Sequence, residues 1–207
     1  MTAASPPAPT RDRILDAAEI LFAERGLAGT AVRDIASEVG LNPASLYNHF
    51  PSKLALYEAV LERGVRPLLE VLHDTTAADP LQDGDRIIEV LMDHLERTPH
   101  LPRLIYQEAV TGGEHLVRLA RVWIKPLVNE ALSVLKRNPN SGEWAEAEYP
   151  LLISAWLHLI FGHFAMAPLL SEVFDEDTLS HENLARQTQF LRKLTLRVLG
   201  VSNPGPQ

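Results

Sequence analysis

Between Thr30 and Lys53 the chain reads TAVRDIASEVGLNPASLYNHFPSK, and hydrogen-bond donors crowd this span: Arg33, Asn42, Ser45, Tyr47, Asn48, His49 and Lys53. Such donors can hold a nucleic acid. A phosphate takes a cation or a donor at a helix start, whereas a base edge is reached by side chains short enough to let the helix approach. The elements that would position them follow from apolar spacing. Thr30, whose hydroxyl can cap a helix, precedes Val32, Ile35, Ala36 and Val39, which recur at helical intervals. Gly40 supplies a left-handed residue that ends this helix, and Leu41 turns apolar surface inward. Asn42 caps the next helix, Pro43 suits its first position, and Leu46 and Phe50 lie four apart on one face. Ala44, Tyr47 and Asn48 remain on one free side, Ser45 and His49 on the other. Lys53 stands at a further helix start, an ordinary place for an anion. Two short helices joined by a glycine turn, the second with a small and polar face, make a helix-turn-helix whose second helix lies in the major groove.

Ahead of this unit Ile14, Leu15, Ala18, Leu21 and Phe22 form the core stripe of a bracing helix, with Gly26 as its stop. The segments ILDAAEILFAERG, TAVRDIASEVG and LYNHFPSK resemble the DNA-binding domain of TetR-family transcriptional repressors, over roughly the first quarter of the chain. By that resemblance Thr30 and Arg33 open the supporting helix at phosphates and a base edge. Pro43, Ala44, Tyr47 and Asn48 face the groove with Asn42 and Ser45 beside them, and His49 and Lys53 hold phosphates. Two positions depart from the family pattern: Asn42 stands where serine is commoner, and Ala55 where a glutamate often completes a capping box with Ser52. The resemblance further implies a homodimer on a palindromic double-stranded DNA operator, released by a small organic effector.

Charge argues only mildly against a nucleic-acid partner. The formal net charge is −8, and residues 1–55 hold five Lys and Arg against six Asp and Glu. Non-specific phosphate attraction should be weak, yet a few placed donors act locally because distant carboxylates are screened within about 10 Å. Zero cysteines exclude disulfides, thiolate chemistry and cysteine-held zinc or iron–sulfur groups. No catalytic signature appears, His158 and His163 stand on different helix faces, and Glu108 with His115 lacks a third ligand, so neither an enzyme nor a metal or other cofactor is expected. A short Ala/Pro/Ser arm at 1–9, with no apolar run behind it, predicts a disordered start, no secretory signal and a cytoplasmic protein.

The chain is expected to be all-α. A helix-turn-helix domain over 10–56 leads through a connecting helix and loop at 57–79, the helix bent at Pro67, into a helical ligand-binding and dimerisation domain at 80–200, with a flexible tail at 201–207. Predicted helices there cover Leu81–Arg97, Leu101–Thr111, Glu114–Lys136 broken at Pro126, Glu143–Pro168 and Thr178–Leu199. Tyr149–Leu170 carries no charged residue and is long enough to cross a bilayer; prolines frame it, histidines interrupt it and flanking basic residues are absent, so no membrane is expected. By resemblance this segment and the last helix pair with a second copy through Trp156, Leu159, His163, Phe190, Leu191, Leu194 and Val198. Residue types alone suggest an effector pocket at Met92, Tyr106, Glu108, Trp123, Trp156, His158, Phe161 and Phe164, for a neutral or cationic apolar molecule. The alternative is an interaction module of the same fold without ligand-controlled DNA binding.

Overall fold

The computed structural model describes residues 10–74, 80–112, 115–137 and 144–198, and among these it is all-helical. The expected arm and tail, and parts of the turns expected near residues 75–79, 113 and 138–143, lie outside the described residues. Helix α1 (Thr10–Gly29) buries Ile14, Leu15, Ala18, Leu21 and Phe22 as the spacing predicts. Gly26 interrupts it with φ +70°, a conformation that a residue bearing a Cβ rarely adopts. Helices α2 (Val32–Glu38) and α3 (Pro43–Tyr47) are joined through Gly40, also at positive φ, with Leu41 N–H donating to Ala36 O at 2.8 Å.

Helix α4 (Lys53–His73) starts at Ser52, whose hydroxyl accepts from Ala55 N–H at 3.0 Å, and continues through Pro67. Its buried face, from Leu56 and Tyr57 to Leu68 and Leu72, packs on α1, on α5 (Pro80–Arg97) and on α8 (Lys125–Arg137). Helix α6 (His100–Thr111) lies against α1 and against α9 (Tyr149–Ala165), while α11 (His181–Val198) covers α5. One apolar core runs from Ile14 and Phe22 in the head to Phe164 and Leu191 in the larger part, so the two are packed as a unit. Arg63 on α4 strengthens the seam, donating to Asp16 at 2.6 Å and to the buried Glu19 at 2.8 Å, both on α1.

Two segments differ from the sequence expectation. Before Pro126 the chain does not break: α7 (Leu116–Arg118) passes into a π-helical stretch (Leu119–Ile124) and then α8, with Lys125 N–H reaching back to Ala120 O. Proline has no N–H to donate and its ring crowds the preceding turn, and the wider π turn relieves that crowding. The apolar run Tyr149–Leu170 is also not one helix. Helix α9 follows a short 3-10 turn (Glu146–Glu148) and ends at Met166, where α10 (Ala167–Phe174) turns away by 72°. Pro168, in the first turn of α10, cannot donate to the Phe164 carbonyl that a continuous helix would present. No single helix among the described residues is long and apolar enough to cross a membrane.

Helices α4 and α6 approach closely at a single point, Gly64. A Cβ on Gly64 would lie 2.6 Å from Leu101 Cδ1, and Leu101 is fully buried. His94 on α5 closes on the same turn, its Nε2–H donating to Gly64 O at 2.7 Å. Gly64→Ala is expected to lower the denaturant midpoint: overpacking costs about 1–3 kcal/mol, more than the roughly 1 kcal/mol that alanine gains in a helix. Paired with Leu101→Ala the loss should fall short of the sum of the two single losses, and a Gly64→Ala protein more stable than wild type would contradict the crossing.

Candidate nucleic-acid interface and effector recess

The small, polar face of α3 is turned outward by the apolar residues on its opposite side. Leu46 and Phe50 are buried beneath α3, and Arg11 on α1 covers the Phe50 ring with its guanidinium 5.0 Å from the centroid. Arg13, also on α1, donates to Val39 O at 3.0 Å and so pins the end of α2. Asn42 Oδ1 accepts from Ser45 N–H at 2.8 Å, which caps α3 and fixes its entry angle. Asn42, Pro43, Ala44, Tyr47, Asn48 and His49 are then exposed together, with Ser45 half-buried among them. Tyr47 is 48% exposed. Arg33 projects from the first turn of α2 with its side chain 82% exposed, its Nε 3.4 Å from the neighbouring Asp34 carboxylate.

Thr30 and Lys53 stand differently from the rest. Thr30 is not the cap of α2; Ala31 occupies that position without a side-chain bond. The Thr30 hydroxyl is buried and donates backward, toward Gly26 O at 2.8 Å and Leu21 O at 3.1 Å, beside the break at Gly26. It therefore has no exposed hydroxyl to offer a phosphate, and this corrects the role implied by resemblance. Lys53 Nζ donates to Leu27 O at 2.7 Å and Thr30 O at 3.0 Å, setting a cation at the carbonyl end of α1, where the helix dipole favours it. An ammonium carries three donors, so one remains. Lys53 ties α1 to the start of α4.

One recess among the described residues of the larger part lies beside α4. Leu54, Tyr57, Glu58 and Leu61 of α4 face His115, Arg118, Leu119 and Trp123 across a narrow cleft that opens to solvent and has room for about one water molecule. Of the eight pocket residues expected, only Trp123 lines it. Met92, Phe161 and Phe164 are closed into the core, Trp156 packs half-buried against it, and the Tyr106 ring meets the exposed His158 edge-on at 6.1 Å. Glu108 is buried on α6. Burial first, and the Glu108 carboxylate second, push the Tyr57 hydroxyl well above the ordinary tyrosine range, so that phenol stays protonated. At the rim Arg118 pairs with Glu58. The signal that sequence reasoning passed over was α4 itself: Tyr57 and Leu61 look like core positions, and nothing local says that the opposite wall is a widened π turn.

Among the residues expected to meet a second copy, Leu191 is fully buried within the chain and is corrected to a core position. Phe190 and Leu159 are exposed, Trp156, His163 and Leu194 are half-buried, and the Val198 side chain lies outside the described residues. His163 Nε2–H donates to Thr178 O at 3.2 Å.

Comparison with known proteins accords with this geometry. The model of bacterial regulatory proteins of the tetR family matches residues 14–60, and a tetracyclin repressor-like C-terminal domain matches residues 80–194. The chain is 32% identical over 83% of its length to the HTH-type transcriptional repressor Rv3405c of Mycobacterium tuberculosis, covering 80% of that protein. It is 37% identical to the HTH-type transcriptional repressor KstR2 of Mycolicibacterium smegmatis over 50% of this chain, spanning about half (51%) of that relative's length. The fold matches that of AmtR from Mycobacterium smegmatis with TM-score 0.68 at 24% identity, over 96% of this chain and 90% of that one. PfmR from Thermus thermophilus matches with TM-score 0.68 at 22% identity, over 96% and 100%.

Lys53→Met is expected to lose about 1–3 kcal/mol of stability, the range for a hydrogen-bonded charge removed from buried carbonyls, read as a shifted urea midpoint at unchanged slope. Arg33→Ala should leave the midpoint within about 0.5 kcal/mol of wild type. Equal midpoints for Lys53→Met and wild type would refute the clamp.

Proposed function

The chain belongs to the TetR family of bacterial regulatory proteins and is a DNA-binding regulator; from that premise we propose a homodimeric repressor that holds a palindromic operator through α3 and releases it when a small organic effector enters the recess beside α4. The observation that carries this reading is the double role of α4. Its first residue, Lys53, is tied to the head, while Leu54, Tyr57, Glu58 and Leu61 form one wall of the recess. A molecule wedged against that wall favours one tilt of α4, and each tilt sets a different distance between the two recognition helices of a dimer. Release then follows from the effector's differential affinity for two states.

On the operator, Pro43, Ala44, Tyr47 and Asn48 enter the groove, and Arg33, His49 and the third Lys53 donor meet phosphates. Asn42 and Ser45 hold α3 in place through the cap, with their own outer surfaces against the backbone. Repression as the output is supported by the relatives named as repressors. The second subunit covers the apolar residues left exposed on α9, α10 and α11: Leu151, Leu159, Leu169, Val173, Phe174 and Phe190. Exposed apolar residues in such number are a usual mark of a protein interface.

The test is fluorescence anisotropy with labelled duplex from immediately upstream of the chain's own gene against a scrambled duplex at two salt concentrations. Wild type should prefer the upstream duplex, and Tyr47→Ala should lose that preference by about 1–3 kcal/mol with the fold intact. Unchanged selectivity in Tyr47→Ala would remove α3 from the interface. Failure of the wild type to select any duplex would favour the interaction-module alternative, which the acidic balance of the head supports.

Phe190→Asp places a carboxylate at an exposed position of α11, so the monomer should fold normally. Light scattering is expected to show a monomer where wild type shows a dimer, and operator affinity should fall with the lost half-site. A dimeric Phe190→Asp protein would exclude that face.

A further inference from the structure

Gly26, where α1 is broken, is held from both sides. Gln107 on α6, in the amide orientation that satisfies both partners, donates to Ala23 O at 3.0 Å and accepts from Gly26 N–H at 3.3 Å. The Gly26 carbonyl accepts from the Thr30 hydroxyl at 2.8 Å, and Thr30 stands just ahead of α2. One glycine therefore joins the larger part, through its N–H, to the start of the supporting helix, through its oxygen. The approach is close, since a Cβ on Gly26 would lie 3.2 Å from the end of the Gln107 side chain. Gln107 is half-buried at this contact, which shelters its hydrogen bonds in part from competing water.

Arg63 gives α1 a second hold. It donates from α4 to Asp16 at 2.6 Å and to Glu19 at 2.8 Å, next to the Gly64 contact with Leu101. Glu19 and Gly26 stand about 10 Å apart along a helix axis. Two holds from two different helices fix an angle, where either alone fixes only a point. We propose that Gln107 is a positioning residue for DNA recognition: with Arg63 it sets the angle of the head on the larger part, and so where each α3 meets the groove. The inference rests on the paired-head reading above and adds the residue that holds each head at its spacing. Released at Gln107, α1 is free to swing about Arg63, and a swinging head fits more than one half-site spacing. The native spacing then loses affinity, because binding must supply the ordering that Gln107 had provided beforehand.

Gln107→Met keeps the length and helix preference of the side chain and removes both hydrogen bonds. Gln107→Glu keeps the acceptor for Gly26 N–H and loses the donor to Ala23 O. Full-length proteins are compared by anisotropy, below their thermal melts, on the upstream duplex that wild type selects and on the same duplex with a base pair added to or removed from its centre. Wild type should prefer the native spacing, and each variant should lose about tenfold of that preference while binding scrambled duplex as wild type does. A purely structural Gln107 would lower the melt and weaken every duplex by one factor; that result overturns the proposal. Hydrogen exchange in the free protein reads the contact without DNA: an exchange about tenfold faster at Gly26 N–H in Gln107→Met, with Leu61 of α4 unchanged, supports it, and equal rates overturn it. Wild type that binds all three spacings alike would sink the paired-head reading and the positioning role together, whereas a wild-type preference that Gln107→Met keeps would overturn the positioning role alone.

Discussion

Helix α6 is the element on which the rest of the structure depends, and it is held by the absence of one side chain. Only because Gly64 lacks a Cβ can Leu101 press against the backbone of α4, and His94 seals the same turn through the Gly64 carbonyl. From that crossing α6 reaches three neighbours with consecutive side chains. Tyr106 meets α9, Gln107 meets the break in α1, and Glu108 lies near Tyr57 of α4. A small displacement of α6 is therefore felt in the head, on α9 and beside Tyr57 of α4 at once. Packed cores respond to such displacements by switching between arrangements rather than by yielding smoothly, which is what a regulator requires.

The head shows how far local chemistry carries. The Asn42 cap, Pro43 at the helix start, the Gly40 turn and the buried pair Leu46 and Phe50 are all decided within a few residues, and they stand in the structure as the sequence predicts. Thr30 and Lys53 look, in sequence, like phosphate ligands of the usual kind. Beside the positive-φ break at Gly26, Thr30 and Lys53 instead turn inward and donate to carbonyls at the end of α1. An unmet buried carbonyl costs more than an exposed donor gains in water, so the inward bond wins.

Beyond the head, helix existence was legible and helix relations were not. Apolar periodicity identifies α4, α5, α6 and α11, but it cannot say that Pro126 is absorbed by a π stretch or that Pro168 folds the apolar run over by 72°. Whether an aromatic residue packs a core or lines a recess is decided by what stands opposite. Met92, Phe161 and Phe164 find apolar partners and close up; Trp123 faces the charged and aromatic set on α4 and does not. Leu191 and Phe190 make the same point one residue apart, the first turned into the core and the second into solvent.

The central claim is that this fold reads DNA as a symmetric pair of heads. In vitro selection of purified protein on a library of random duplexes, sequenced over successive rounds, tests it without presupposing any operator. The account predicts enrichment of an inverted repeat with two equivalent half-sites, lost when the selection is repeated with Tyr47→Ala. Enrichment of no motif, or of a single asymmetric site that Tyr47→Ala still selects, would contradict it.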